Sequence, residues 1–259
     1  MRQLAYQVLL LLFISQLAIA GSEDEVTRSL ADLTYPFDEK TIYWPTADGF
    51  KLTSIAHGFT DKGYFYSGNV MSLPEHGGTH LDAPLHFAKD HWAVDEIPLE
   101  RFQGSAAVID LRSKIKDEAD ALIEADDIKA WENEHVKLGS DHIVFFYTGW
   151  DRFWNDKKKY LGSDQKGDVE NLHFPGLSRS AAQYLVKCRV KGVGLDTASL
   201  DPGNSRDFWA HRILLGANIY GIENVAHLSQ LSATGAQVTV APMKIAHGTG
   251  APVRIFAEY

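Results

Sequence analysis

Twelve residues constrain this chain more than any other stretch: His76-Gly77-Gly78-Thr79-His80-Leu81-Asp82-Ala83-Pro84-Leu85-His86-Phe87. His76 and His80 have the i, i+4 spacing of a helical ligand pair, but Gly77-Gly78 disfavours a helix there and Pro84 would end one. The segment therefore reads as extended. In a strand, residues two apart share a face, which points His80, Asp82 and His86 the same way. The glycines let the backbone turn tightly enough to bring His76 to the same point, and Pro84 marks an edge or irregular strand of the kind found beside a cleft. Two imidazoles and a carboxylate are a sufficient shell for Zn²⁺, Mn²⁺ or Fe²⁺ with positions left open for water. His86 is placed to move a proton. A hydrogen-bonded histidine cluster on a loop is the plainer alternative, but three histidines and an aspartate within eleven residues favour a metal.

Further ligands are sought downstream. His211 and Glu223 stand twelve apart, and Glu223 lies in an apolar run, Ile219 to Val225, where an unpaired carboxylate is costly. A metal relieves that cost; so does an arginine or a backbone amide, and both readings stay open at this point.

The remainder bounds the setting. Val8 to Ala20 is almost wholly apolar and ends Ala18-Ile19-Ala20 before Gly21, which predicts a secretory leader over residues 1–20 and a mature domain over 21–259. The run is too short for the roughly 20 residues of a spanning helix, and no later stretch qualifies, so no membrane span is expected after cleavage. Cys188 is the only cysteine, so an exported chain has no internal disulfide; its helical surroundings predict a small buried hydrophobe. The formal charge of −9, with no basic cluster beyond Lys157 to Lys159, argues against nucleic acid and anionic membrane as partners. Short β-branched runs at 106–111, 142–147, 190–195 and 236–240 have strand length. Helices are expected over 125–132, opening on acids, and over 178–187, with Ser178 as N-cap. The order predicts a single α/β domain with a largely β core, without the alternation of a TIM barrel or a GxGxxG turn.

The segment His76 to Phe87 resembles the HxGTHxDxPxHF signature of the cyclase family, which includes bacterial-type kynurenine formamidases and isatin hydrolases. The resemblance extends to Leu33-Thr34, Tyr43-Trp44-Pro45, Phe174 to Ser178, Gly194 to Gly203 and the block from His211 to Glu223. It implies a swivelling β/β/α-type fold, a homo-oligomer (dimer or tetramer), and one or two divalent ions per subunit, Zn²⁺ or Mn²⁺. His76, His80 and Asp82 would hold the first ion, with Asp82 bridging to a second held by His211 and Glu223, and His86 as acid/base. The stretches 218–225 and 91–95 look more like the isatin hydrolase branch, whose similar shell takes manganese.

The expected chemistry is metal-dependent amide hydrolysis, in which a metal lowers the pKa of its water and polarises the carbonyl, while His86 takes a proton and returns it to the departing nitrogen. The leading substrate is N-formylkynurenine (arylformamidase, tryptophan catabolism), with isatin-like opening of a cyclic amide or lactone as the alternative. An aryl amide or lactam suits an aniline-type leaving group. Trp44, Phe65, Trp92 and Trp209 are candidates for an aromatic pocket wall, whereas His57, His173 and His247 read as structural or surface histidines. A reading of another class is a secreted, non-catalytic metal- or ligand-binding protein, against which the complete motif, His86 included, counts. No GxSxG supports a serine hydrolase.

Overall fold

The computed structural model describes residues 28–259, so the predicted leader lies outside the described residues. Twelve strands run in chain order: β1 (Leu30–Asp32), β2 (Lys51–Phe59), β3 (Phe65–Ser72), β4 (His80–Asp82), β5 (Gln103–Asp110), β6 (Leu122–Ile123), β7 (His142–Tyr147), β8 (Gly176–Leu177), β9 (Gly192–Leu195), β10 (Tyr220–Glu223), β11 (Gln237–Pro242) and β12 (Gly250–Glu258). The main sheet has the order β1-β12-β11-β5-β7-β9-β10-β4, and β4 pairs again with β12, which closes it on itself. β5, β7, β9 and β10 are parallel; the remaining pairs are antiparallel. The chain is thus a single α/β domain whose mixed sheet forms a closed, barrel-like core.

Both faces of the parallel strands are covered, so they read as continuous apolar runs rather than alternating ones. In β7 the alternation is still visible in where side chains go. Ile143, Phe145 and Tyr147 pack inside the barrel with Leu81, Ile222 and Ile255. Val144 and Phe146 pack outward against helices. Those helices are α1 (Arg112–Ile115), α2 (Ala125–Glu134), α4 (Arg179–Cys188) and α5 (Trp209–Leu215), whereas α3 (Lys157–Leu161) packs elsewhere, through Tyr160 and Leu161. α4 begins where its cap requires: Ser178 Oγ accepts the Ala181 N–H at 3.1 Å. It ends on Arg189 in the left-handed region at φ 60°. Its buried stripe is Ala181, Ala182 and Leu185. Cys188 is half-buried against the same outer core, and burial pushes its thiol upward from the usual value, away from reactivity. A third cluster, Ile42, Trp150, Tyr160, Leu161, Leu172, Phe174 and Ala198, lies apart from both faces, with Trp44 against it.

The expectation of an extended segment over the whole His-rich motif is corrected in part. Only His80–Asp82 is strand, paired on both sides by β10 and β12. Pro84–His86 is a single 3₁₀ turn with Pro84 at its first position, where its missing N–H costs nothing. His86 reaches the cleft by this turn rather than by strand alternation.

Candidate metal centre

Three elements converge on one point. In β4, His80 lies opposite Glu223 of β10, and Asp82 lies opposite Gly250 of β12. α5 lowers His211 onto the same carboxylate, and the turn before β4 supplies His76. That turn depends on glycine: Gly77 and Gly78 have φ of 150° and 57°, and a Cβ on Gly77 would lie 2.0 Å from the Tyr43 ring. Gly250 leaves room for His76, since a Cβ there would sit 2.5 Å from His76 Cε1. Strand order, the docking of α5 and the glycine turn together explain why residues so far apart in sequence meet here.

The donors form two groups with Asp82 in common: His76, His80 and Asp82, and Asp82, His211 and Glu223, with the ligand atoms of each group within 4.8 Å of one another. His76 Nδ1 is 2.7 Å from Asp82 Oδ1. His80 Nε2 is 3.3 Å from Asp82 Oδ1 and 3.4 Å from Glu223 Oε2. His211 Nε2 is 3.2 Å from both Asp82 Oδ2 and Glu223 Oε1. Each imidazole is held by its other nitrogen. His80 Nδ1–H donates to the Gly78 carbonyl at 2.9 Å, and His211 Nδ1–H donates to Asp201 Oδ2 at 2.6 Å. The Thr249 hydroxyl donates to Glu75 Oε2 at 2.6 Å, which leaves it to accept from His76 Nε2–H at 3.0 Å. With those tautomers each neutral ring turns a lone pair inward at carboxylate oxygens, an arrangement of acceptor against acceptor that a cation, or a proton on the ring, relieves.

This set fits a divalent ion on two grounds. His80 Nε2 is buried without a hydrogen-bond partner, although two carboxylates lie near it. The electrostatics also call for positive charge. Burial opposes a charged His80, yet the nearby carboxylates of Asp82, then Glu223, push it up to about 9. Burial likewise opposes a charged His211, but Asp201, Asp82 and Glu223 hold it well above the ordinary imidazole range. Asp82 is driven well below the carboxylate range despite burial, because three imidazoles surround it. Glu223 is raised, first by burial and then by Asp82. The cluster thus favours positive charge at His80 and His211, which a divalent ion would supply.

His86 stands apart from these groups. Its ring stacks on His76 with centroids 3.9 Å apart, at the wall of the cavity. Burial pushes it down to about 4, with the neighbouring histidines adding to the effect against Asp82. A neutral imidazole at pH 7 is the form that accepts a proton.

The cavity over these residues has a volume of about 360 Å³. Trp44 lines it with Ile42, Tyr43, Phe87 and Phe208. Phe65, Trp92 and Trp209 do not. Phe65 lies on the exposed hairpin of β2 and β3, and Trp92 packs against the barrel interior. Trp209 is held between the Arg179 and Arg212 guanidinium groups at 4.1 and 4.5 Å. Their composition as aromatics carried no positional information. Phe87 and Phe208 are wall residues that sequence reasoning missed; the former is the last residue of the motif, and its ring centroid lies 4.7 Å from that of His211.

Asp201 was also missed as a functional residue, although it belongs to the stretch Asp196 to Gly203. Besides holding His211 Nδ1–H, it accepts the backbone N–H of Ala210 at 2.8 Å and of His211 at 3.1 Å. It caps α5 and orients His211, the candidate ligand that α5 carries. Asp201→Asn is expected to weaken divalent-ion affinity by about 10- to 100-fold while the fold persists, as calorimetric titration with Mn²⁺ or Zn²⁺ would measure. Unchanged affinity would reduce Asp201 to a helix cap.

Residues 31–202 match the Cyclase family. An isatin hydrolase from Roseibium aggregatum is 35% identical over 207 residues, covering 77% of each chain. A kynurenine formamidase from Salinibacter ruber is 28% identical over 226 residues, 87% of this chain and 95% of that one. Among solved structures, an isatin hydrolase bound to the product analogue thioisatinate superimposes with a TM-score of 0.82 at 30% identity, over 100% of this chain and 99% of that one. With the barrel, the shared carboxylate and the motif in place, the chain belongs to the cyclase family.

Proposed function

We propose that this metal-dependent amide hydrolase opens the C–N bond of a small, uncharged aryl amide, an isatin-like lactam foremost. The observation that carries the substrate reading is the wall of the cavity. It offers apolar and aromatic side chains over the metal-ligand cluster, and no arginine or lysine among the described residues that line it. A flat, neutral bicyclic lactam needs no such cation, whereas the amino-acid carboxylate of N-formylkynurenine would be desolvated there without a counter-charge. The formamidase reading keeps one specific support, the kynurenine formamidase relative that is matched over 95% of its length.

His76, His80, Asp82, His211 and Glu223 would hold one or two divalent ions, for which Zn²⁺ and Mn²⁺ both suit the imidazole and carboxylate donors. Such an ion supplies an acidified water and a Lewis acid for the carbonyl oxygen. The chain's own residues do the rest. His80, His211 and Asp82 are buried and held in one orientation, so little reorganisation is needed at the moment of reaction. Phe87, Phe208 and Trp44 exclude water and hold an aromatic ring over the cluster. His86, neutral and facing the cavity, accepts the proton released by water as it adds to the carbonyl carbon. When the C–N bond breaks, the same ring nitrogen delivers that proton to the aniline-type nitrogen, so protons balance over the cycle.

Steady-state turnover of isatin and of N-formylkynurenine, with and without a chelator and with elemental analysis of the sample, tests this. Chelator-sensitive hydrolysis with kcat/KM for isatin at least ~10-fold higher is expected, a factor worth about 1.4 kcal/mol. The reverse preference would replace the lactam reading by the formamidase one. Metal without turnover of either would remove both substrates.

A further inference from the structure

His76 differs from the other two candidate imidazole ligands in how its ring is kept in place. The side chains of His80 and His211 are 3% and 5% exposed, so packing confines them, whereas that of His76 is 26% exposed. It stands at the cavity wall, where a ring can turn and a neutral imidazole has two tautomers to choose from. Only one arrangement presents a free Nδ1 lone pair beside Asp82 Oδ1, 2.7 Å away.

We propose, on the reading of this cluster as a metal site, that Glu75 and Thr249 are positioning residues for His76. The Glu75 carboxylate, acting through the Thr249 hydroxyl, selects the Nε2–H tautomer and so keeps Nδ1 available as a ligand atom. The hydroxyl has one proton, and Glu75 Oε2 takes it at 2.6 Å while also accepting the Thr249 backbone N–H at 3.1 Å. A charge-assisted bond of that kind is a strong one. With its proton committed, the hydroxyl is left to accept from His76 Nε2, 3.0 Å away. Glu75 belongs to neither donor group, so its carboxylate acts on the site through Thr249.

The backbone is built around this relay. Thr249 stands between two glycines: a Cβ at Gly248 would approach Glu75 Oε1 to 3.1 Å, and one at Gly250 would meet His76 Cε1 at 2.5 Å. The Thr249 carbonyl accepts the Ala83 N–H at 2.9 Å, and the Gly248 carbonyl accepts the Val94 N–H at 3.0 Å. These bonds tie the hydroxyl to the His-rich motif and its flank. The effect reaches His86 as well, because its ring is stacked on that of His76.

Calorimetric titration with Mn²⁺ of the parent, Thr249→Val, Thr249→Ser and Glu75→Gln tests the relay. Valine keeps the shape and the backbone N–H without the hydroxyl, serine restores the hydroxyl, and glutamine keeps an acceptor without the charge. Affinity is expected to fall about 10- to 100-fold in the valine variant, less in the glutamine variant, and to recover with serine. Circular dichroism checks the fold, and the glutamine variant carries the comparison should valine unfold the chain. In the Zn²⁺-loaded protein the His76 Nε2–H should give a slowly exchanging, downfield proton NMR signal in the parent and the serine variant, and none with valine. Parent affinity in the valine or glutamine variant, a serine variant as weak as valine, or a signal that persists without the hydroxyl overturns the relay and leaves the metal site standing. A parent that takes up no divalent ion overturns both.

Discussion

Asp82→Asn is expected to leave the purified protein without stoichiometric metal and to lower kcat/KM by at least ~10⁴-fold, most of what metal-assisted hydrolysis contributes. The reason is positional. Asp82 is the one residue in both donor groups, with Oδ1 turned to His76 and His80 and Oδ2 to His211. An amide removes the negative charge and presents N–H where a cation belongs. Loss of any other ligand leaves one group intact; loss of Asp82 breaks both. Elemental analysis after desalting checks the metal, and circular dichroism checks that the fold survives. A variant that retained the parent's metal content would show that Asp82 is not a ligand.

His86→Ala separates catalysis from metal binding. Because His86 belongs to neither donor group, the variant is expected to keep its metal and lose about 10²- to 10⁴-fold in kcat. Its pH profile is a second readout. His86 is pushed down to about 4, below the 6.5 of an ordinary imidazole, first by burial. A base must be unprotonated to act, so activity is full above its pKa and falls as pH drops through it. The acid limb of kcat/KM for the parent should therefore lie well below pH 6.5, near 4, and vanish in the alanine variant. Full turnover with metal bound in that variant would remove the proton-transfer role.

The fold was partly legible. The run 142–147 is β7 residue for residue, because a strand buried on both faces has to be continuously apolar. The helix after Ser178 was legible because a hydroxyl cap is a local signal. The closing pairs were not. β4 meets β12 through His80 opposite Pro252 and Asp82 opposite Gly250, contacts about 170 positions apart that no short window contains. The hairpin of β2 and β3 was unreadable for a different reason. Apolar residues predict burial, and these are exposed on both faces.

In the site, residue types and spacing in the motif pointed to a metal before any coordinates, since three imidazoles and a carboxylate in eleven residues have few other uses. Glu223 was readable only as a costly carboxylate in an apolar run, with its partner open. Its place 3.4 Å from His80 and 3.2 Å from His211 follows from the register of β10 on β4. Trp44 reaches the cavity while Trp92 and Trp209 do not, because side-chain direction is decided by the element that carries it. The sequence by itself determined the donor chemistry, the local caps and the glycine turn, all of which act over a few residues. The tertiary structure alone decided that these donors meet around Asp82 and that Asp201 aims His211. Those depend on strand pairing and helix docking, whose energies come from contacts far apart along the chain.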